Sequence, residues 1–182
     1  LEFHRTIWGY RSPEFLSNAV FIRSILINKS GYPIDSFQCG MWIDPDLGDS
    51  GDDVAGCDTS IGLAYTDNGD GYDAVYGSAC PAVGTLLLSG PAVPGLPGDS
   101  AFVGQGHRQG FRNLPPFAAA VYTQGNCFDC PSPTSGDLPI FRLLRGLLAT
   151  GAAVIDPNGA PARFHYPGDP LIHSGWLDPL YP

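Results

Sequence analysis

Polar and apolar residues alternate most regularly over residues 34–43, where Ile34, Ser36, Gln38 and Gly40 interleave with Phe37, Cys39, Met41 and Ile43. A period of two sends one set of side chains to each face, so this segment is expected to be a half-buried strand. Residues 19–28, Ala-Val-Phe-Ile-Arg-Ser-Ile-Leu-Ile-Asn, are strongly apolar and β-branched, and Lys29-Ser30-Gly31 supplies a turn between the two runs. Together they are expected to form a hairpin or meander. Residues 1–10 mix aromatic and polar side chains and read as another strand, broken at Ser12-Pro13-Glu14. Strands are also expected at 59–66 and 83–89, with the polar turn Asp-Asn-Gly-Asp-Gly-Tyr-Asp at 67–73 between them. From residue 90 the pattern loosens into Gly/Pro punctuation, and 115–137 reads as loop.

One helix is expected, near 138–149. Ile140, Leu143, Leu144, Leu147 and Leu148 have the spacing of an apolar stripe. Asp137 is placed as its N-cap, Pro139 falls in the first turn, and Gly151 follows the end. The last thirty residues are turn-rich, with Phe164, Tyr166 and Trp176 as anchors on the sheet. The fold class is therefore mainly β: an antiparallel β-sandwich-like domain with long loops and one short helix. At 182 residues, one domain over 1–182 is the expectation. The chain opens on Leu-Glu-Phe without a methionine, and both ends are read as cut.

Charge narrows the choice of partners. The net charge is −9, and Lys29 is the only lysine. Such a surface repels phosphate backbones, so no nucleic-acid partner is expected, and no apolar stretch approaches a membrane span. Cations are the natural counter-charge. Only Glu2 and Glu14 are glutamates, so nearly all the acid is aspartate, which favours loops where its short carboxylate reaches backbone or metal.

The sharpest feature is the loop over residues 44–58. It concentrates Asp44, Asp46, Asp49, Asp52, Asp53 and Asp58 within fifteen positions, broken by Gly48, Gly51 and Gly56. Crowded carboxylates repel one another until a cation or solvent relieves them. Calcium takes six to eight oxygen ligands in irregular geometry, which suits a glycine-broken loop. The spacing is not that of an EF-hand, because no glycine stands at the sixth position and no Glu closes the loop. A solvated acidic turn is the plainer alternative. Asp44 and Asp46, placed at the end of the 34–43 strand, are the first-choice ligands. Asp67, Asn68, Asp70 and Asp73 are explained by turn formation alone.

The five cysteines are Cys39, Cys57, Cys80, Cys127 and Cys130. Cys127-Phe-Asp-Cys130 lacks the second half of a zinc site, and its neighbours Pro131 and Pro133 favour a loop. A local Cys127–Cys130 disulfide is expected, with Cys57–Cys80 as a weaker pairing. No Gly-x-Ser-x-Gly elbow is present, and His4, His107, His165 and His173 are scattered.

The runs "NAVFIRSILINKSG", "MWIDPDLGDSGDDVAGCDTSIGLAYTDNGDG" and "YGSACPAVGTLLLSGP" resemble a block in large secreted or cell-surface proteins of the Bacteroidota that end in a type IX secretion sorting domain. The block's W-x-D-P-D-L-G, D-D, G-C-D-T and P-P-A-V-G pieces fall on Trp42 to Gly48, Asp52–Asp53, Gly56 to Thr59 and residues 80–84, where Cys80 stands in place of the first proline. "GFRNLP" at 110–115 and "LLRGLL" at 143–148 also match, so the resemblance covers most of the chain. It implies export and an extracellular or cell-surface location, and, since such proteins usually continue past the Gly-Trp at 175–176, an internal fragment of a longer secreted protein. It implies no activity.

The expected function is accordingly a calcium-stabilised structural or adhesive surface domain, as in a surface layer or filament. Its partners would be other domains of the same longer chain, neighbouring copies, or a surface polysaccharide. The rival readings are an extracellular hydrolase, which needs Asp or His converging in one cleft, and a carbohydrate-binding module, which needs Trp8, Trp42 or Trp176 presented flat to solvent.

Overall fold

The computed structural model describes residues 1–12, 15–121 and 136–180. The chain is mainly β, and it forms two compact units, Leu1–Phe37 and Gln38–Pro182.

In the first unit, β1 (Glu2–Gly9) pairs antiparallel with β2 (Val20–Ile27), in register from Glu2↔Ile27 to Gly9↔Val20. A 3-10 turn at Phe15–Asn18 lies between them in the chain. The β-branched and aromatic content of both segments favours this pairing. Side chains divide by the strand period. Phe3, Arg5, Ile7, Val20, Ile22, Ser24 and Leu26 share one face. Glu2, His4, Thr6, Trp8, Phe21, Arg23, Ile25 and Ile27 share the other. On the second face Trp8 stacks on Phe21 with ring centroids 5.5 Å apart.

The expected hairpin of 19–28 with 34–43 is therefore replaced by β1–β2, and 34–43 forms no strand. Local chemistry explains the difference. Asn28 closes a turn by accepting from the Ser30 N–H and donating to the Tyr32 carbonyl. Pro33 offers no donor to a ladder, and Ser36 has left-handed backbone (φ 55°), which interrupts any pleat.

In the second unit, β3 (Asp53–Asp58), β4 (Leu63–Asn68) and β5 (Val83–Leu86) form a three-stranded antiparallel sheet in that order. β6 (Ala92–Pro94) pairs with β9 (Phe111–Asn113), and β7 (Ser100–Val103) pairs with β8 (Gly106–Gln109). α1 (Asp137–Leu143) is followed by a short ladder of β10 (Val154–Ile155) with β11 (Pro161–Ala162). The strands thus lie in small antiparallel sheets of two or three, a finer division than the two facing sheets of a sandwich.

Three expectations are corrected here. β3 begins inside the acidic segment, and residues 59–62 are the turn that follows it. Four strands, β6 to β9, occupy 92–113, where the pattern had loosened. The helix stops at Leu143 instead of reaching 149, and Gly136 holds its N-cap position with Asp137 in the first turn. Gly146 has φ +68°, a left-handed step that diverts the chain, and Leu147 then bridges to Ala153.

Among the described residues the buried apolar set is small: Val54, Cys57, Ala101, Ala149 and Val154. Asn68, Asp73, His165 and Asp178 are as deeply buried. The outer edge of β3 is closed by the C-terminal segment. The Ala55 N–H donates to Asp178 Oδ2 at 3.1 Å and the Cys57 N–H to the Tyr166 carbonyl at 3.2 Å. Trp176 packs edge-on against Tyr166, centroids 5.3 Å apart. Among the described residues no helix is long and apolar enough to cross a membrane.

Candidate metal centre

Strand register assembles the acidic region. Asp53 is directly opposite Asn68 at the end of the β3–β4 ladder, so the loop before β3 and the turn after β4 emerge side by side. Asn68 Nδ2 donates to Asp52 Oδ2 at 2.9 Å, and the Gly69 N–H donates to the Asp52 carbonyl at 2.8 Å. Asp53 Oδ2 accepts from the Leu47 N–H at 2.9 Å, folding the loop back over the strand end.

Asp73 is the hub. Its carboxylate is fully buried. Oδ2 accepts from the Asp49 N–H at 2.8 Å, and Oδ1 accepts from the N–H groups of Val75 and Tyr76 at 2.7 and 2.6 Å. The Asp49 donor, with those of Tyr76 and Val75, holds its carboxyl below the usual range against the cost of burial. Gly48 passes over this carboxylate with φ +82°, and a Cβ there would sit 2.5 Å from both oxygens. Only glycine fits.

Asp53 goes the other way. Burial pushes its carboxyl up, outweighing the Leu47 hydrogen bond, and the charges of Asp52, Asp46 and Asp73 push it further. Those four aspartates therefore share one field. Two of their oxygens, Asp52 Oδ1 and Asp53 Oδ1, are buried without a hydrogen-bond partner.

The expected ligands divide accordingly. Asp52 and Asp53 are brought together, with Asp46 near enough for its charge to act on Asp53. Asp49 caps its own loop by accepting from the Gly51 N–H at 3.1 Å. Asp44 and Asp46 are exposed and follow irregular chain, so the strand that was to fix them is absent. Asp58 stands at the opposite end of β3, roughly 16 Å along the strand, where Oδ1 accepts from the Ser60 N–H and hydroxyl at 2.8 and 2.6 Å. Among the described residues, no three His, Cys, Asp or Glu side chains converge as a finished metal cage. Asn68 and Asp73, assigned from sequence to an ordinary turn, instead tie that turn to the acidic loop. The Asn68 pairing with Asp53 was visible only through the β3–β4 register.

Among the described residues no disulfide links the strands. Cys39, Cys57 and Cys80 are free, so the weaker Cys57–Cys80 pairing is not made. The Cys57 thiol donates to the His165 carbonyl at 3.1 Å, and burial, with the charge of Asp58, pushes it up to about 11. The Cys80 thiol donates to the Gly77 carbonyl at 3.3 Å. The Cys127–Cys130 bridge lies outside the described residues.

Of the histidines, His4 is on β1, His107 on β8, and His165 is buried beside Trp176. Trp42 is 68% exposed, whereas Trp176 is partly covered by Tyr166. No protein family, no curated protein and no solved structure matches the chain.

Proposed function

We propose that this chain is a structural or adhesive domain of an extracellular or cell-surface protein, and that calcium stabilises it at the acidic loop. One observation carries the calcium assignment: Asp52 Oδ1 and Asp53 Oδ1 are buried without donors in a field of four carboxylates. A buried anionic oxygen with no donor is costly, and a cation relieves both the missing partner and the repulsion. The donor set is all oxygen, which suits a hard cation and not zinc. Asp52 and Asp53 would hold the ion, with Asp46 and Asp49 as further carboxylates of the same loop. When bound, the ion supplies charge neutralisation and a tie between the strand end and the loop. The resemblance to exported surface proteins supports the location, and a place in a surface layer or filament is proposed on the same ground.

Thermal melting with calcium and with chelator tests the site. A ligand that binds only the folded form at a hundredfold excess over its Kd stabilises by about 2.7 kcal/mol. Asp53→Asn is expected to erase the response, while Asp58→Asn, at the far end of β3, is expected to keep it. Superimposable curves with calcium and chelator would remove the assignment.

The exposure of Trp42 favours a second reading, a carbohydrate-binding surface, since a flat indole open to solvent is a stacking platform for a sugar ring. Titration with surface polysaccharide should then quench tryptophan fluorescence in the parent and not in Trp42→Ala.

A further inference from the structure

The β1–β2 hairpin has an unusual balance for a two-stranded ribbon. A lone hairpin is at best marginally stable in water and needs a covered apolar face. Here one face carries Phe3, Ile7, Val20, Ile22 and Leu26, all exposed, with Ile7 at 59% and Val20 at 70%. Together these amount to a patch on the order of 500 Å², the size of the largest apolar patch on a typical monomer, which is often functional. The opposite face is mixed: Trp8, Phe21, Ile25 and Ile27 are interrupted by Glu2, which pairs with His4 and Lys29, and by Arg23 opposite Thr6. The one charge on the apolar face is Arg5, whose guanidinium lies 5.0 Å from the centroid of the Phe3 ring.

We propose that this face is a self-association surface, occupied by the same face of a second copy of the chain. Three observations select that occupant. The first is area: two such faces would remove roughly 1,000 Å² of apolar surface, about what a specific interface must bury. The second is charge. Residues 1–37 carry four basic and three acidic side chains, whereas residues 38–182 carry five basic and fifteen acidic ones. Two hairpins meet with little net repulsion, while the acidic parts of two copies repel. The third is shape. Leu1, Leu26, Asn28, Ile34 and Phe37 line a shallow hollow of about 230 Å³ at one end of the ribbon. Val20 projects at the other end. A two-fold axis over the middle of the ribbon sets Val20 of each copy over the hollow of its partner, a self-complementary contact that closes as a dimer. The contact uses no residue of the acidic loop, so it stands or falls separately from the calcium site.

Sedimentation of the whole chain across a concentration series, at fixed calcium, tests it. The parent is expected to shift from monomer to dimer. Ile7→Asp/Ile22→Asp should stay monomeric, and Thr6→Asp, on the opposite face, should dimerise as the parent does. Because the double variant can unfold the ribbon, amide exchange of the parent supplies an independent readout: β2 amides should exchange more slowly at high concentration than at low. A parent that stays monomeric throughout, a dimer indifferent to Ile7→Asp/Ile22→Asp, or β2 exchange independent of concentration would each overturn the proposal. A dimer that dissociates only on chelation would move the contact to the acidic loop and overturn it too.

Discussion

At the scale of single residues, the second unit is organised by carboxylates that accept backbone N–H groups. Gly48 and Asp73 form the tightest such pair. Gly48→Ala places a Cβ against the Asp73 carboxylate at a left-handed φ, so a loss of about 1–3 kcal/mol is expected in denaturant unfolding. Asp73 and Asp53 should respond oppositely to acid. The carboxyl of Asp73 is depressed in the folded chain, so its contribution is complete above the unfolded range near pH 4 and is lost as the pH falls through its folded pKa. That of Asp53 is raised, so at neutral pH its charge opposes folding, and lowering the pH relieves it. Asp53→Asn should therefore melt higher than the parent in chelator, and Asp73→Asn lower. His165 adds a third titration. Its Nδ1 accepts from the Val121 N–H at 3.2 Å, and its Nε2 is buried without a partner. Burial keeps it neutral below its usual pKa, so its contribution is whole above about pH 6.5 and fades as the pH drops through the lower folded value. His165→Gln should flatten the fall in melting temperature between neutral and mildly acidic pH.

At the scale of elements, legibility followed apolar content. β1 and β2 were found within a residue or two, β2 because Val, Phe, Ile and Leu dominate it and β1 because it mixes aromatic and β-branched residues, yet their pairing was not, since the alternation at 34–43 supplied a rival partner. That alternation is real in the sequence, but Pro33 and the left-handed Ser36 prevent it from becoming a ladder. β3 was hidden by its own acids. Asp53 and Asp58 flank Val-Ala-Gly-Cys, whose small side chains carry no strong β signal, although Val54 proves to be 1% exposed. β6 to β9 are three or four residues each, too short for a period to register. Thus the acidic site was legible as composition and not as geometry: its aspartates were named, but the element that joins Asp52 and Asp53 to Asn68 was not. Val54→Ala tests how much β3 anchors the unit. Losing two buried methyl groups should cost about 2 kcal/mol by denaturant titration.

At the scale of the whole molecule, the compact unit Gln38–Pro182 contains the acidic loop, its hub and the C-terminal edge closure. A chain lacking residues 1–37 is expected to keep the melting transition and the calcium response of the parent; loss of either would show that the hairpin unit is needed for both. The edge closure also bears on the order in which the fold is completed. Ala55 finds the Asp178 carboxylate 123 positions further along. Contacts of that span come late, because most of the chain must be ordered before they form. A chain emerging N-terminus first thus exposes the unpaired rim of β3 until the segment from Tyr166 to Asp178 appears, and an open rim is a template for aggregation. Stopping the chain before Tyr166 would leave a species that retains its acidic loop yet recruits its neighbours strand by strand, so the segment from Tyr166 to Asp178 acts as a chaperone written into the same polypeptide.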